Sequence, residues 1–263
     1  MTEFQTALDH VHTTLSDLRE QGVELRASAA ALTRLADTPT TAKPVPAPFP
    51  GSAPGGSKAE RLAALRGPVL ACTLCPHLAK SRTQVVFGVG SPEAELLFVG
   101  EAPGEDEDRQ GEPFVGDAGQ LLTKMIAAMG FSRDDVYIAN VLKCRPDVPP
   151  GDSDNRKPTT VEMQTCLPYL RQQIDIIQPR ALVALGTTAM EGLLGAKEPI
   201  GKLRGHWRDF HGIPLMATYH PAYLLRKQSL TEKRKVWEDM LLVLDRLGKP
   251  ISEKQRGFFL AKG

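Results

Sequence analysis

Four short apolar runs, at residues 96–100, 136–142, 181–186 and 215–219, alternate with stretches whose apolar residues recur at helical spacing. This alternation limits the fold more than any other feature of the chain. Strands with helices interleaved imply a mostly parallel sheet covered on both faces. The expected fold is therefore α/β, a three-layer α/β/α arrangement around a four-stranded, mainly parallel central sheet. Helices are predicted over 119–129, 160–178, 187–194 and 231–247, with a short one over 59–65. Each run ends on polar or special residues: Gly100-Glu-Ala-Pro-Gly104, Asn140-Val-Leu-Lys-Cys144, Gly186-Thr-Thr188 and Tyr219-His-Pro-Ala-Tyr223. In an open α/β sheet such ends meet at one crevice, so Glu101, Phe114, Asn140 and His220 can share a pocket although far apart in sequence.

The stretch after the first run is long, rich in Gly and Pro, and acidic. It carries Glu105, Asp106, Glu107 and Asp108 and then an apolar tip, Pro113-Phe-Val115. Loops of this length lean functional, which favours a site over a merely solvated surface loop.

The remainder of the chain divides by composition. Phe4, Leu8, Val11, Leu15, Leu18, Leu25 and Leu32 form a heptad seam that weakens at Gly22 and Ala29. Residues 1–37 are thus expected to form an amphipathic helix, suited either to a protein partner or self-association or to lying on its own domain. Residues 38–57 are dense in Pro, Ala, Gly and Thr and read as a linker. Residues 58–248 hold the globular domain, and 249–263 a tail. Net charge is +1, so there is no global basic field. No stretch is apolar enough to span a bilayer and no signal-peptide core opens the chain, so no membrane partner and a cytoplasmic location are expected.

Several residues carry recognisable chemistry. Cys72-x2-Cys75 can aim two sulfurs at one point, and Cys144 and Cys166 lie far along the chain. One close pair with two dispersed cysteines suits a [4Fe–4S] cluster, a zinc site, or two buried thiols beside an incidental pair. His220 follows a strand and precedes Pro221, where an imidazole can donate to an oxyanion or act as a general acid. Asn140 offers an amide that pairs with the edge of a nucleobase or satisfies turn backbone groups. Phe114 can stack on a flat ligand or anchor its loop. Lys202, Arg204, Arg208, Arg226, Lys227, Lys233, Arg234 and Lys235 flank His220 in sequence, either as a rim for a polyanion or as a solvated helix face.

Together, Gly100-Glu-Ala-Pro-Gly104, Pro113-Phe-Val-Gly-Asp-Ala-Gly119, Asn140-Val-Leu-Lys-Cys-Arg-Pro146 and His220-Pro-Ala-Tyr-Leu-Leu-Arg226 resemble the family 4, iron–sulfur, uracil-DNA glycosylases. The resemblance covers about residues 60–247. It implies hydrolysis of uracil from DNA by an α/β/α domain, with uracil-containing DNA as partner and a structural [4Fe–4S] cluster on Cys72, Cys75, Cys144 and Cys166. It further implies that Phe114 stacks on uracil, Asn140 reads it, His220 is catalytic, Glu101 serves the catalytic water and Glu107 crowds out the thymine methyl. Leu224, Leu225 and Arg226 become candidate DNA contacts, the leucines to fill the space that a flipped base leaves. A sister group that traps DNA covalently carries Gln at the position of Ala102, beside the base, and a histidine in a basic insertion. Ala102 and the acidic, histidine-free run 105–112 argue for ordinary turnover. A DNA-binding module with a structural metal and an electron-transfer protein are the competing functions.

Overall fold

The computed structural model describes residues 55–148 and 155–260. The amphipathic helix expected over 1–37 and nearly all of the linker lie outside the described residues.

The strands follow the sequence periods. β1 (Val89–Gly90), β2 (Leu96–Gly100), β3 (Tyr137–Asn140), β4 (Ala181–Leu185), β5 (Trp207–Phe210) and β6 (Ile213–Thr218) form one sheet in the order β1-β3-β2-β4-β6-β5. The expectation of four strands is corrected to six in a mixed sheet. The inner strands β3, β2, β4 and β6 are parallel, and β1 and β5 add antiparallel edges. Both edges were missed for physical reasons. β1 is two residues long, and β5 lacks clear alternation. The signal for β5 lay in its turn: His211 and Gly212 both have positive φ, the two-residue hairpin turn that matches strand twist.

Every residue of β2 and β4 is buried, as strands covered on both faces must be. Alternate side chains feed two separate cores. Leu97, Val99, Leu182, Ala184, Leu215 and Ala217 pack on one side. Leu96, Phe98, Ile138, Ala181, Val183 and Met216 pack on the other. On the first side lie α1 (Lys58–Leu70), α5 (Thr160–Ile177) and α6 (Thr187–Leu194), and on the second α4 (Asp117–Ala128) and α9 (Leu230–Arg246). Short helices α2 (Pro76–Ser81), α3 (Glu105–Gln110), α7 (Ile200–Leu203), α8 (Pro221–Lys227) and α10 (Glu253–Arg256) occupy the connections. Ser57 with Glu60, and Thr159 with Glu162, close reciprocal capping boxes on α1 and α5. No helix among the described residues is long and apolar enough to cross a membrane.

The connection from β2 leads to β3 on one side of it, while β4 lies on the other. The strand order thus reverses between β2 and β4, and in open α/β sheets a crevice opens beyond the C-terminal ends of the strands at such a point.

Candidate active site

Glu101 leaves the end of β2 at that crevice. Thr188, in the first turn of α6 after β4, gives its hydroxyl hydrogen bond to the Glu101 carboxyl across the reversal. Burial pushes the Glu101 carboxyl above its usual range, opposed by the Thr188 bond and by Lys157. Glu101, Ala102, Lys157, His220 and Arg226 line one cavity of about 350 Å³. Phe114 and Asn140 are not on its wall; the link to it is His220, whose ring centroid lies 5.6 Å from that of Phe114 with the planes 30° apart.

Gly100 explains how Phe114 and Asn140 come together. It pairs in register with Asn140 across β2 and β3. A methyl group on Gly100 would stand 2.5 Å from Cζ of Phe114 and would overlap Oδ1 of Asn140. The ring and the amide therefore close on one point above the strand end. Asn140 is only 2% exposed, and its Oδ1 has no hydrogen-bond partner among the described residues. A buried acceptor without a partner costs roughly 1–3 kcal/mol, so this oxygen calls for a donor from a ligand.

The Phe114 backbone has φ 56, an uncommon conformation for a bulky residue. Three features hold it there. The two arms of Arg133 donate to the Phe114 carbonyl at 3.1 Å and the Pro113 carbonyl at 2.8 Å. Gly119 allows α4 to pass so close that any side chain there would overlap the Phe114 backbone. Glu107 accepts from the backbone N–H groups of Gly104, Val115 and Gly116 at 3.0, 3.0 and 3.1 Å. Glu107 is thus a clasp between the two glycine-rich segments. It stands in α3, within the stretch read from sequence as a loop; its acidic residues sit at the helix start, where the helix dipole favours them.

His220 caps α8. Its Nδ1 accepts from the Ala222 N–H at 3.2 Å, and Pro221 occupies the first helical position. Burial, together with the Arg226 charge, pushes the imidazole down to about 4, so the ring is neutral near pH 7. With Nδ1 occupied as an acceptor, the single proton resides on Nε2, which becomes a donor. Beneath it, the buried Asp239 carboxylate accepts from Thr218 Oγ1 at 2.6 Å and from two nitrogens of Arg204 at 3.0 and 2.8 Å. This pair fixes the end of β6 two residues before His220.

The expected DNA contacts divide. Leu224 is only 3% exposed and belongs to the core, because helical spacing turns it inward; of the two leucines only Leu225, at 38%, reaches the surface. Arg226 is exposed and lines the cavity. From the basic rim, Arg204 is committed to Asp239, Lys235 to Glu232, and Arg234 to Glu238 and the carbonyls of Arg256 and Phe258.

Cys72, Cys75, Cys144 and Cys166 line a single small pocket between α2, α5 and the segment after β3, and none is in a disulfide. Arg82 donates to Cys144 Sγ at 3.0 Å and the Lys143 N–H to Cys166 Sγ at 3.2 Å. Four cysteines around one pocket, with N–H donors to two of their sulfurs, form a thiol-rich lining. His77, Asp147 and Glu162 also converge, but Arg156 already bonds both carboxylates, so this cluster is an ion-pair knot. Thr188 belongs to the Gly186-Thr-Thr188 strand end that the sequence already marked, whereas neither the knot nor Arg133 had a signal in the sequence beyond residue type.

A family model described as the uracil DNA glycosylase superfamily matches residues 87–241. The chain belongs to this superfamily. It is 47% identical over 172 residues to a type-4 uracil-DNA glycosylase of Thermotoga maritima, covering 64% of this chain and 85% of that relative. It is 42% identical over 173 residues to the type-4 enzyme of Archaeoglobus fulgidus, covering 63% and 83%. A type-5 uracil-DNA glycosylase of Pyrobaculum aerophilum is more distant, 31% identical over 186 residues, covering 58% and 79%. The superfamily match begins in the segment before β1 and ends inside α9, so it contains every strand and the whole cavity.

Proposed function

We propose that this chain hydrolyses the N-glycosidic bond of uracil in DNA, leaving free uracil and an abasic site, and that it does so at the cavity between Glu101 and His220. The observation that carries the site is the unpartnered Asn140 Oδ1 beside the Phe114 ring. Uracil presents N3–H next to O4, and one amide answers both: Oδ1 accepts from N3–H and Nδ2 donates to O4. Cytosine presents the opposite pattern and would leave buried groups mispaired, at roughly 1–3 kcal/mol each. Phe114 supplies the stacking face. A base inside a duplex cannot reach such a pocket, so the nucleotide is flipped. Arg226 lines the cavity and suits a phosphate, and the exposed Leu225 next to it in sequence suits the vacated stack.

As the glycosidic bond breaks, positive charge grows on the sugar and negative charge on the base. The Nε2–H of neutral His220 donates to uracil O2, where that negative charge develops, so no proton need be transferred. Glu101 orients water on the sugar, and its carboxylate favours the cationic sugar. Ala102 adds no bulk beside the base. Glu107, by accepting from the backbone N–H groups of Gly104, Val115 and Gly116, holds the Phe114 segment in place, and it limits room for a thymine methyl through the loop that it fixes. Cys72, Cys75, Cys144 and Cys166 would hold a [4Fe–4S] cluster, which supplies a covalent tie between segments.

The deciding experiment is release of free uracil from a uracil-containing oligonucleotide by wild type, His220→Ala and Asn140→Ala. Release lost by 10²-fold or more in both variants is the expected result. Release untouched by either would remove the site while leaving the enzyme class.

A further inference from the structure

Uracil and deoxyribose are neutral, so the anions of this substrate are its phosphates. The cavity nevertheless has a cationic lining that contacts to base and sugar do not need: Arg156, Lys157 and Arg226 line it together with Glu101. Arg156 is committed, donating to Glu162 at 2.9 and 2.6 Å and to Asp147. Lys157 differs. Its Nζ lies 2.6 Å from Glu191 Oε2 on α6, yet its side chain is 52% exposed. The lysine end of the pair is open to solvent while Glu191 is only 14% exposed, and an ion pair that water reaches on one side adds little to stability, so the ammonium can change partner.

The backbone that presents Lys157 is firm. Arg156 Nη1 donates to the Lys157 carbonyl at 3.2 Å, and the same guanidinium knots Glu162 and Asp147. Pro158 is buried and Thr159 caps α5 directly afterwards. A flexible side chain on a fixed base, within Coulomb reach of Glu101 and on the same cavity wall as Arg226, suits a mobile phosphate clamp.

We propose that Lys157 is a DNA-phosphate-binding residue, which leaves Glu191 to grip the backbone beside the flipped nucleotide. The proposal rests on reading the cavity as the entrance for the sugar and its phosphates. Each duplex phosphate contact contributes about 0.9 to the slope of log binding constant against log salt.

The test measures binding of a uracil-containing duplex between 50 and 200 mM salt, using His220→Ala as a non-cleaving background. Adding Lys157→Ala should lower the slope by about 0.9 and weaken binding, whereas Lys157→Arg should keep the slope. Glu191→Gln should tighten binding with the slope intact, since it removes the competing partner. An unchanged slope in Lys157→Ala overturns the proposal. So does Glu191→Gln behaving like Lys157→Ala, because the pair would then be only a strut. Arg226→Ala separates the two levels: if it too leaves the slope unchanged, the cavity is not the DNA entrance, and if it lowers the slope alone, only the role of Lys157 falls. Thermal unfolding of each variant shows whether a lost slope reflects lost fold, and Lys157→Gln provides a second neutral variant for that case.

Discussion

The state of His220 makes a sharp prediction about pH. Burial and then the Arg226 charge push its imidazole down to about 4, and its Nδ1 already accepts from the Ala222 N–H, a bond that protonation at that nitrogen would break. At pH 7 about one molecule in a thousand carries the cation. If the neutral Nε2–H is the working donor, uracil release under single turnover should not rise as pH falls through the ordinary imidazole range near about 6.5. It should fall only on the acid side, where first Glu101, raised by burial, and then His220 take protons. His220→Ala should lose about 10²- to 10³-fold, the usual cost of one oriented oxyanion donor. A profile with an alkaline limb near 6.5, activity rising as pH falls from 8 to 6, would refute the neutral-donor argument and require an imidazolium. The same shift links to stability. The folded state binds fewer protons than the unfolded one between about pH 4 and 6.5, so stability is lost as pH falls through that window, by up to about 3 kcal/mol. In His220→Ala this part of the acid sensitivity should be missing from urea melts.

Gly100→Ala should leave β2 paired but push the Phe114 ring and the Asn140 amide apart. A displacement of about 1 Å costs on the order of 10²-fold in uracil release, and overpacking costs roughly 1–3 kcal/mol in a thermal melt. Release within about threefold of wild type would show that the two groups do not act at one point. Purified protein should carry about four irons and four sulfides, and Cys166→Ala should lower both and destabilise the fold; stoichiometric zinc with no iron would reject the cluster.

The four inner strands and their helices were legible because apolar runs and helical periods are local signals. That Glu101 and His220 line one cavity was legible because strand ends of a parallel sheet must meet; Asn140 ends its strand as expected but stands off that wall. What stayed hidden depends on partners distant in sequence. Arg204 belongs to a basic stretch, but its destination is Asp239, 35 residues on and buried. Leu224 and Leu225 are neighbours of similar chemistry, and only the rotation of α8 distinguishes core from surface. Glu107 stood in an acidic run, where nothing indicated that it would accept from three backbone donors instead of facing water.

These contacts also explain why the cysteine-lined pocket and the cavity belong to one construction. Asn140 ends β3 and Cys144 follows four residues later in the segment after it, so holding Cys144 limits where the amide can point. From the same pocket Arg82 donates to Cys144 Sγ and, at 2.7 Å, to the Cys72 carbonyl. The next residue, Thr83, donates its N–H at 2.8 Å to Asp108, which is buried in α3. Adjacent in that helix is Glu107, which clasps the backbone after Phe114. The Phe114 ring and the Asn140 amide are therefore tied to the cysteine-lined pocket by two separate routes. A short acidic helix that looks like solvated surface in the sequence is the middle link of one of them. Two of its acidic residues, Glu107 and Asp108, turn to backbone donors because the glycines around the helix bring those donors within reach, while Glu105 and Asp106 stay open to solvent, and Glu107 thereby fixes the backbone that follows Phe114.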